Sequence, residues 1–180
     1  MVKIMCCIDA QRDFMNKEGL LYVPGAEGIK DNIDKLCKQS LIDRVPLFAS
    51  KDWHTEDDVE FKTFPKHCVE YTTGAMLIDE VDRWNPEEIL AKKTYDVFAE
   101  AHTEYVLSDN DVTEVILFGV VTEYCISAAV EGFLKRGSVV TIVTDAIMHL
   151  DKAKADALLV EWEGRGVRLI TTKEIVGEGK

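Results

Sequence analysis

The chain predicts one doubly wound, Rossmann-like α/β domain over residues 1–180, with a six-stranded parallel sheet flanked by helices. Three observations carry that expectation. Short runs rich in Val, Ile and Phe alternate with stretches of helical period along the whole length, the alternation that buries a parallel sheet under two helical layers. The runs are apolar on consecutive positions, as strands covered on both faces must be. The length of 180 residues suits one domain by the rough 150-residue measure. With 47% hydrophobic and 30% charged residues, the composition is that of a globular chain, not a disordered, collagenous or coiled-coil one.

The elements follow in order. Lys3–Asp9 is the first strand, and Ala26–Ser40 carries a helical period. Val45–Lys51 is the second strand. Trp53–Thr73 has no period and reads as a long polar loop holding His54, His67 and Cys68; structureless loops of that length inside a compact domain are usually functional. Gly74–Val81 is a short helix and Ile89–Lys92 the third strand. Helix Ala99–Leu107, strand Val115–Gly119, helix Tyr124–Arg136, strand Val139–Thr144, helix Lys152–Arg165 and strand Val167–Thr171 complete the alternation. Lys135-Arg136-Gly137 and Arg165-Gly166 end their helices with cations in the last turn and glycine at the stop. Asp9, Asp52, Lys92, the segment Gly119–Cys125 and Asp145 all fall at carboxyl ends of these strands, where open α/β sheets bind ligands, so all five should converge on one crevice.

Charge and cysteine content restrict the partners. Lys+Arg number 21 and Asp+Glu 33, a net charge of −12 that disfavours nucleic acid and anionic membrane. No run approaches the ~20 apolar residues of a membrane span. The apolar start of the chain is too short for a signal-peptide core. Five cysteines, an odd number without paired spacing, point to reduced thiols and a cytoplasmic protein. Neither GxGxxG nor GxxxxGK[ST] occurs, so no nucleotide-binding fingerprint is claimed.

Three groups of residues can carry chemistry. In Gly119–Cys125 a strand ends in a tight turn and Cys125 opens a helix, where the macrodipole favours thiolate and free backbone N–H groups can hold an oxyanion. Free cysteine is also commonly a small buried hydrophobe, and position alone does not decide between the two. Cys6, Cys7 and Cys37 fit a core pattern, and Cys68 is ambiguous. Asp9 ends a buried strand, where a carboxylate needs a partner and can relay protons, or caps the following turn. Asp13 fits the capping role better. Lys92, at the end of another buried strand, can neutralise Asp9 or lie in solvent. Finally, Asp52 and His54 point to one side of an extended chain and a distant His67 can complete an open site. One carboxylate and two imidazoles suit Zn²⁺, Fe²⁺ or Mn²⁺, although a lone Asp-x-His is a weak signal and a satisfied polar pair is its commoner explanation. His102 and His149 lie in surface-like contexts.

Together and in order, these pieces resemble the isochorismatase-like cysteine hydrolases and, within them, the nicotinamidase branch. Asp-x-Gln-x-Asp-Phe is Asp9, Gln11, Asp13 and Phe14. Lys-x-x-Tyr-x-x-Phe is Lys92, Tyr95 and Phe98, and Gly-Val-x-Thr-x-x-Cys is Gly119, Val120, Thr122 and Cys125. The branch's metal signature matches Asp52, His54, Phe64, Pro65, His67 and Cys68, which places the metal-binding loop at about 52–73. The resemblance implies a Cys125–Asp9–Lys92 triad, an oxyanion hole of the Val121 and Cys125 N–H groups, and a cis peptide at Val120–Val121. It further implies one divalent ion, zinc foremost with Fe²⁺ or Mn²⁺ as alternatives, on Asp52, His54 and His67. A substrate ring would then lie among Phe14, Phe64 and Tyr95. The implied reaction is deamidation of nicotinamide to nicotinate and ammonia, with another small amide as the alternative substrate and a non-catalytic metal-binding scaffold as the remote one. The implied partner is a small-molecule amide, with homo-oligomerisation left open. Two departures stand out: Asp96 follows Tyr95 where the family often has Ser, and Phe64 precedes Pro65 where many nicotinamidases have Trp.

Overall fold

The computed structural model describes residues 2–177. Its strands are β1 (Val2–Ile8), β2 (Leu47–Asp52), β3 (Glu88–Lys92), β4 (Val112–Val120), β5 (Val139–Met148) and β6 (Arg168–Ile170). All pair in parallel, in the order β3-β2-β1-β4-β5-β6. The helices are α1 (Arg12–Met15), α2 (Lys30–Asp43), α3 (Asp79–Asp82), α4 (Ala101–Asp109), α5 (Ser127–Lys135), α6 (Lys152–Gly164) and α7 (Thr172–Val176).

Strand residues alternate between two cores, as a pleat of period two requires. Met5, Cys7, Ala49, Phe118 and Val143 pack with Ile33, Leu36 and Cys37 of α2. Ile4, Cys6, Phe48, Leu117 and Ile142 pack on the opposite face with Val106 of α4, Ala129 and Phe133 of α5, and Trp162 of α6. Cys6, Cys7 and Cys37 are therefore core residues, as their pattern suggested. The sheet order reverses between β1 and β4, and that switch point is where a doubly wound sheet opens its crevice. Gly119 makes the close approach possible there: its φ is +119°, and a Cβ would stand 2.0 Å from the Ile8 carbonyl oxygen on β1. No helix among the described residues is long and apolar enough to cross a membrane.

Several expectations need correction. Ala26–Ser40 divides into a 3₁₀ turn, Ala26–Ile29, and α2. Only Asp79–Asp82 of the segment read as Gly74–Val81 and its end is helical. The stretch before it is kept out of a helix by its bonds to the chain after β1: Arg12 N–H donates to Met76 O at 2.9 Å, Asp13 N–H to Gly74 O at 3.0 Å, and Ile78 N–H to Ala10 O at 2.9 Å. β5 runs past Thr144 to Met148, which leaves Asp145 within a strand, not at its end. Its carboxylate accepts from Thr172 N–H (2.7 Å) and Oγ1 (2.8 Å) at the start of α7, so it belongs to that corner and not to the crevice.

Candidate active site

Four segments deliver the polar groups at the carboxyl edge of the sheet. Asp9 follows β1, Asp52 ends β2, Lys92 ends β3, and Cys125 lies beyond β4 in a π-helical turn, Thr122–Ile126, that leads into α5. Because neighbouring parallel strands lie in register, Asp52 stands directly opposite Lys92. Lys92 Nζ is 2.7 Å from Asp9 Oδ2, contacts Asp52 Oδ1 closely, and lies 3.7 Å from Cys125 Sγ. Lys92 is 1% exposed, so a lone ammonium there would be strongly disfavoured; the two carboxylates compensate it.

The charges shift one another. Burial works against ionising Asp52, but Lys92 and the two imidazoles outweigh it and hold its carboxyl well below the usual range. Burial also opposes charge on Lys92, yet Asp52 and Asp9 keep it protonated well above its ordinary range. Burial raises the Asp9 carboxyl, with Lys92 pulling the other way. For Cys125, burial and the facing Asp9 carboxylate push the thiol up despite Lys92. This corrects the expected thiolate at a helix N-terminus. Cys125 sits inside a buried turn ahead of α5, so the resting group is a thiol whose proton faces a carboxylate of raised affinity.

The loop between β2 and α3 folds back on itself. His54 N–H donates to Cys68 O at 3.1 Å and Glu70 N–H to His54 O at 2.8 Å, an isolated bridge that sets His54 beside His67 with ring centroids 5.0 Å apart. His54 and His67 Nε2 lie 3.8 and 3.6 Å from Asp52 Oδ2. One ligand atom from each of the three residues falls within 4.8 Å of the others, all buried. His54 is fully buried with neither ring nitrogen hydrogen-bonded, and Asp58 lies 3.2 Å from its Nδ1 without alignment. Buried polar atoms normally find partners, and an Asp-His-His donor set with unsatisfied lone pairs fits a divalent ion. Pro65 O, 2.7 Å from His67 Nδ1, fixes the tautomer that leaves Nε2 free to ligate.

Residues of the matched motifs that carry no chemistry brace this arrangement. Gln11 Nε2 donates to Asp52 O (2.8 Å) and Ala75 O (2.9 Å), while its Oε1 accepts from Asp52 N–H (2.7 Å). Asp13 caps as expected, but at long range: its Oδ2 accepts from Cys68 N–H at 2.7 Å and its Oδ1 from Leu20 N–H at 3.1 Å. Cys68 is buried and its thiol is pushed up by burial, so it contributes its backbone amide. Asp96, the departure from the lysine motif, caps a 3₁₀ turn by accepting from Phe98 N–H at 2.9 Å.

A pocket of about 580 Å³, including its mouth, opens onto Cys125. Phe14, Phe64 and Tyr95 all line it, together with Val121, Asp52 and His67, and the Val120–Val121 peptide beneath is cis. Phe64 packs edge-on against Tyr124 with centroids 6.1 Å apart. The sequence reading missed Glu60, whose half-buried carboxylate lines the same pocket and is pushed up first by burial and then by Asp52. It also missed Ser50, buried behind Asp9. Neither falls in a recognisable spacing, so no sequence signal marks them. His102 is exposed and His149 half-buried, and neither lines the pocket.

The model of the isochorismatase domain matches residues 3–174. Nicotinamidase of Escherichia coli is 23% identical over 202 residues, covering 94% of each chain. Among solved structures, pyrazinamidase of Pyrococcus horikoshii in complex with zinc superposes with a TM-score of 0.86 at 28% identity, covering 95% of this chain and 99% of that one. N-carbamoylsarcosine amidase of Thermoplasma acidophilum shares the fold with a TM-score of 0.85 at 22% identity, covering 98% of this chain and all of that one.

Proposed function

Since the chain belongs to the isochorismatase family, we propose that it is a metal-dependent cysteine amidohydrolase that converts nicotinamide to nicotinate and ammonia. The observation that carries the reading is the buried ammonium of Lys92, which touches Asp9 and Asp52 and reaches Cys125. A structural ion pair needs no thiol beside it at the floor of a pocket.

In this reading Asp9 takes the proton of Cys125 as the sulfur attacks the amide carbon, and the N–H groups of Val121 and Cys125 hold the oxyanion. Asp9 returns the proton to the departing ammonia, and the C–N bond breaks to leave a thioester. Asp9 then takes a proton from the water that attacks the thioester carbon; the C–S bond breaks to free the acid, and Asp9 returns the proton to the Cys125 sulfur. Lys92 keeps Asp9 placed and offsets the charge that develops on sulfur. Phe14, Phe64 and Tyr95 hold the ring. Asp52, His54 and His67 would hold a divalent ion, zinc foremost, which supplies a Lewis-acidic anchor for a ring nitrogen. The cytoplasm, where all five free thiols stay reduced, is the compartment this chemistry suits.

Ammonia release from nicotinamide, pyrazinamide and aliphatic amides, with and without a chelator, tests the proposal. The expected result is turnover of the heteroaromatic amides that chelation abolishes and added metal restores. Turnover confined to aliphatic or carbamoyl amides would replace nicotinamide as the substrate, and no release from any amide would overturn the hydrolytic reading.

A further inference from the structure

Behind the Asp9 carboxylate, at the carboxyl half of β2, stands Ser50, fully buried. Its Oγ donates to Asp9 Oδ1 at 2.7 Å, the length of a charge-assisted O–H···O bond. The same Oγ accepts from the Asp9 backbone N–H at 3.3 Å, and the Ser50 carbonyl oxygen accepts from that N–H at 3.2 Å. Asp9 has φ +47°, a left-handed conformation that Asp tolerates but that needs support from its surroundings. One hydroxyl therefore holds both the backbone and the side chain of a strained residue. It also makes the two carboxylate oxygens unequal. Oδ1 is committed to Ser50. Oδ2 is buried and faces the Lys92 ammonium 2.7 Å away.

We propose that Ser50 is a positioning residue for the reaction: by engaging Oδ1 it turns Oδ2 toward Cys125 and makes that one oxygen the acceptor of the thiol proton. The assignment rests on Asp9 acting as the general base. With Oδ1 engaged by Ser50, Oδ2 is left to the Lys92 ammonium and to the proton in transit. A residue that merely filled space at this position would not need a hydroxyl.

The test compares Ser50→Ala and Ser50→Thr with Asp9→Asn in the metal-loaded protein. Two measurements are made: steady-state ammonia release, and alkylation of Cys125 by iodoacetamide without substrate, read by peptide mass spectrometry across pH. Ser50→Ala should lower kcat about 10- to 100-fold with KM unchanged within about twofold, the pattern of a group that acts in the transition state. The groups facing Asp9 are Lys92 from β3, Asp52 from β2, Cys125 after β4 and Cys68 from the β2–α3 loop, with Cys6 and Cys7 on β1. With all of them unchanged, loss of a donor to the carboxylate raises its proton affinity, so the acid limb of alkylation should move up by about one pH unit. Ser50→Thr should restore kcat and the limb, and in an Asp9→Asn background Ser50→Ala should add no further loss. Normal kcat and an unmoved limb in Ser50→Ala, beside an inactive Asp9→Asn, would overturn the positioning role alone. A fall in melting temperature with unchanged turnover per folded molecule would do the same. Full activity in Asp9→Asn would instead remove the general-base reading on which the proposal stands.

Discussion

Of the five cysteines, Cys125 alone lines the pocket; the other four are sealed in the core or behind the metal loop. Burial pushes Cys6 up to about 12, with Asp9 adding to it, and raises Cys37 and Cys68 as well, and none of these opens onto the pocket. Cys125 is raised too, and what distinguishes it is a proton acceptor: it faces Asp9, and Lys92 can balance the thiolate once formed. Replacing Cys125 by Ala removes little volume and should leave the fold intact. Amide turnover should fall by at least about a thousandfold, the scale for loss of a covalent nucleophile. Circular dichroism and ammonia release on the same sample check both halves; a residual rate above about a hundredth of wild type would exclude a covalent route through this thiol.

The β2–α3 loop illustrates how a segment without period is still fixed. Its metal-facing residues are anchored from outside by Asp13, which holds Cys68 N–H next to His67. Gly74 is packed so tightly on that carboxylate that a Cβ would stand 2.3 Å from either oxygen. Gly74→Ala should therefore displace Asp13 and loosen the loop without touching a ligand. Metal affinity in Gly74→Ala and Asp13→Ala should fall about tenfold or more, by analogy with other supporting residues of metal sites. His54→Ala and His67→Ala should each lose most bound metal, since three protein ligands are already the minimum for a tight site. Competition against a chromophoric chelator measures all four variants. Unchanged affinity in Gly74→Ala would show that the loop is held by the histidine bridge alone.

The sheet as a whole brings opposite charges from β2 and β3 and from the end of β1 to one buried point, and its stability should depend on pH accordingly. Lys92, whose proton affinity is raised on folding, contributes stability that is present below its unfolded pKa and is lost as pH rises through the folded one. Asp52, whose carboxyl is depressed, contributes stability that is present above its unfolded pKa and is lost as pH falls through the folded one. Both are in force between about pH 4 and pH 10, given ordinary Asp and Lys values. Asp9, raised on folding, works in the opposite sense and gains from protonation. Lys92→Met leaves two carboxylates without their buried cation, a loss of about 3–5 kcal/mol by comparison with other broken buried pairs. In metal-free protein at pH 7 this corresponds to a melting temperature lower by about 6–20 °C for a domain of this size. The deficit should shrink as pH falls toward 5, because Asp9, already raised by burial and now without the cation, then takes up a proton. Melting curves of wild type and variant across that range decide it, and a deficit that grew with acid would contradict this account of the charges.

What the chain determined by itself is local or periodic. Consecutive apolar runs gave all six strands; in the inner ones burial on two faces leaves few polar positions to confuse the pattern, whereas the edge strands β3 and β6 are only partly buried, and Gly119, Lys92 and Cys125 stood out because their types are anomalous where they occur. The resemblance in motif drew Asp9, Asp52, His54 and His67 into the same set, and the crevice does hold those residues together. What only the tertiary structure decided depends on distant segments meeting. The stretch before α3 had helical spacing but pairs with residues 10–13 instead, because those backbone groups had no other partners. Asp145 left the crevice because β5 continues past it, and a strand's length is set by its neighbours rather than by its own residues. Cys125 lies in a buried turn and not at an open helix end, where burial and Asp9 push its thiol up against the pull of Lys92, a balance that is a matter of ångströms across four strands. Ser50 is an ordinary strand serine in the sequence, and only the distance of 2.7 Å to a residue 41 positions away gives it a role.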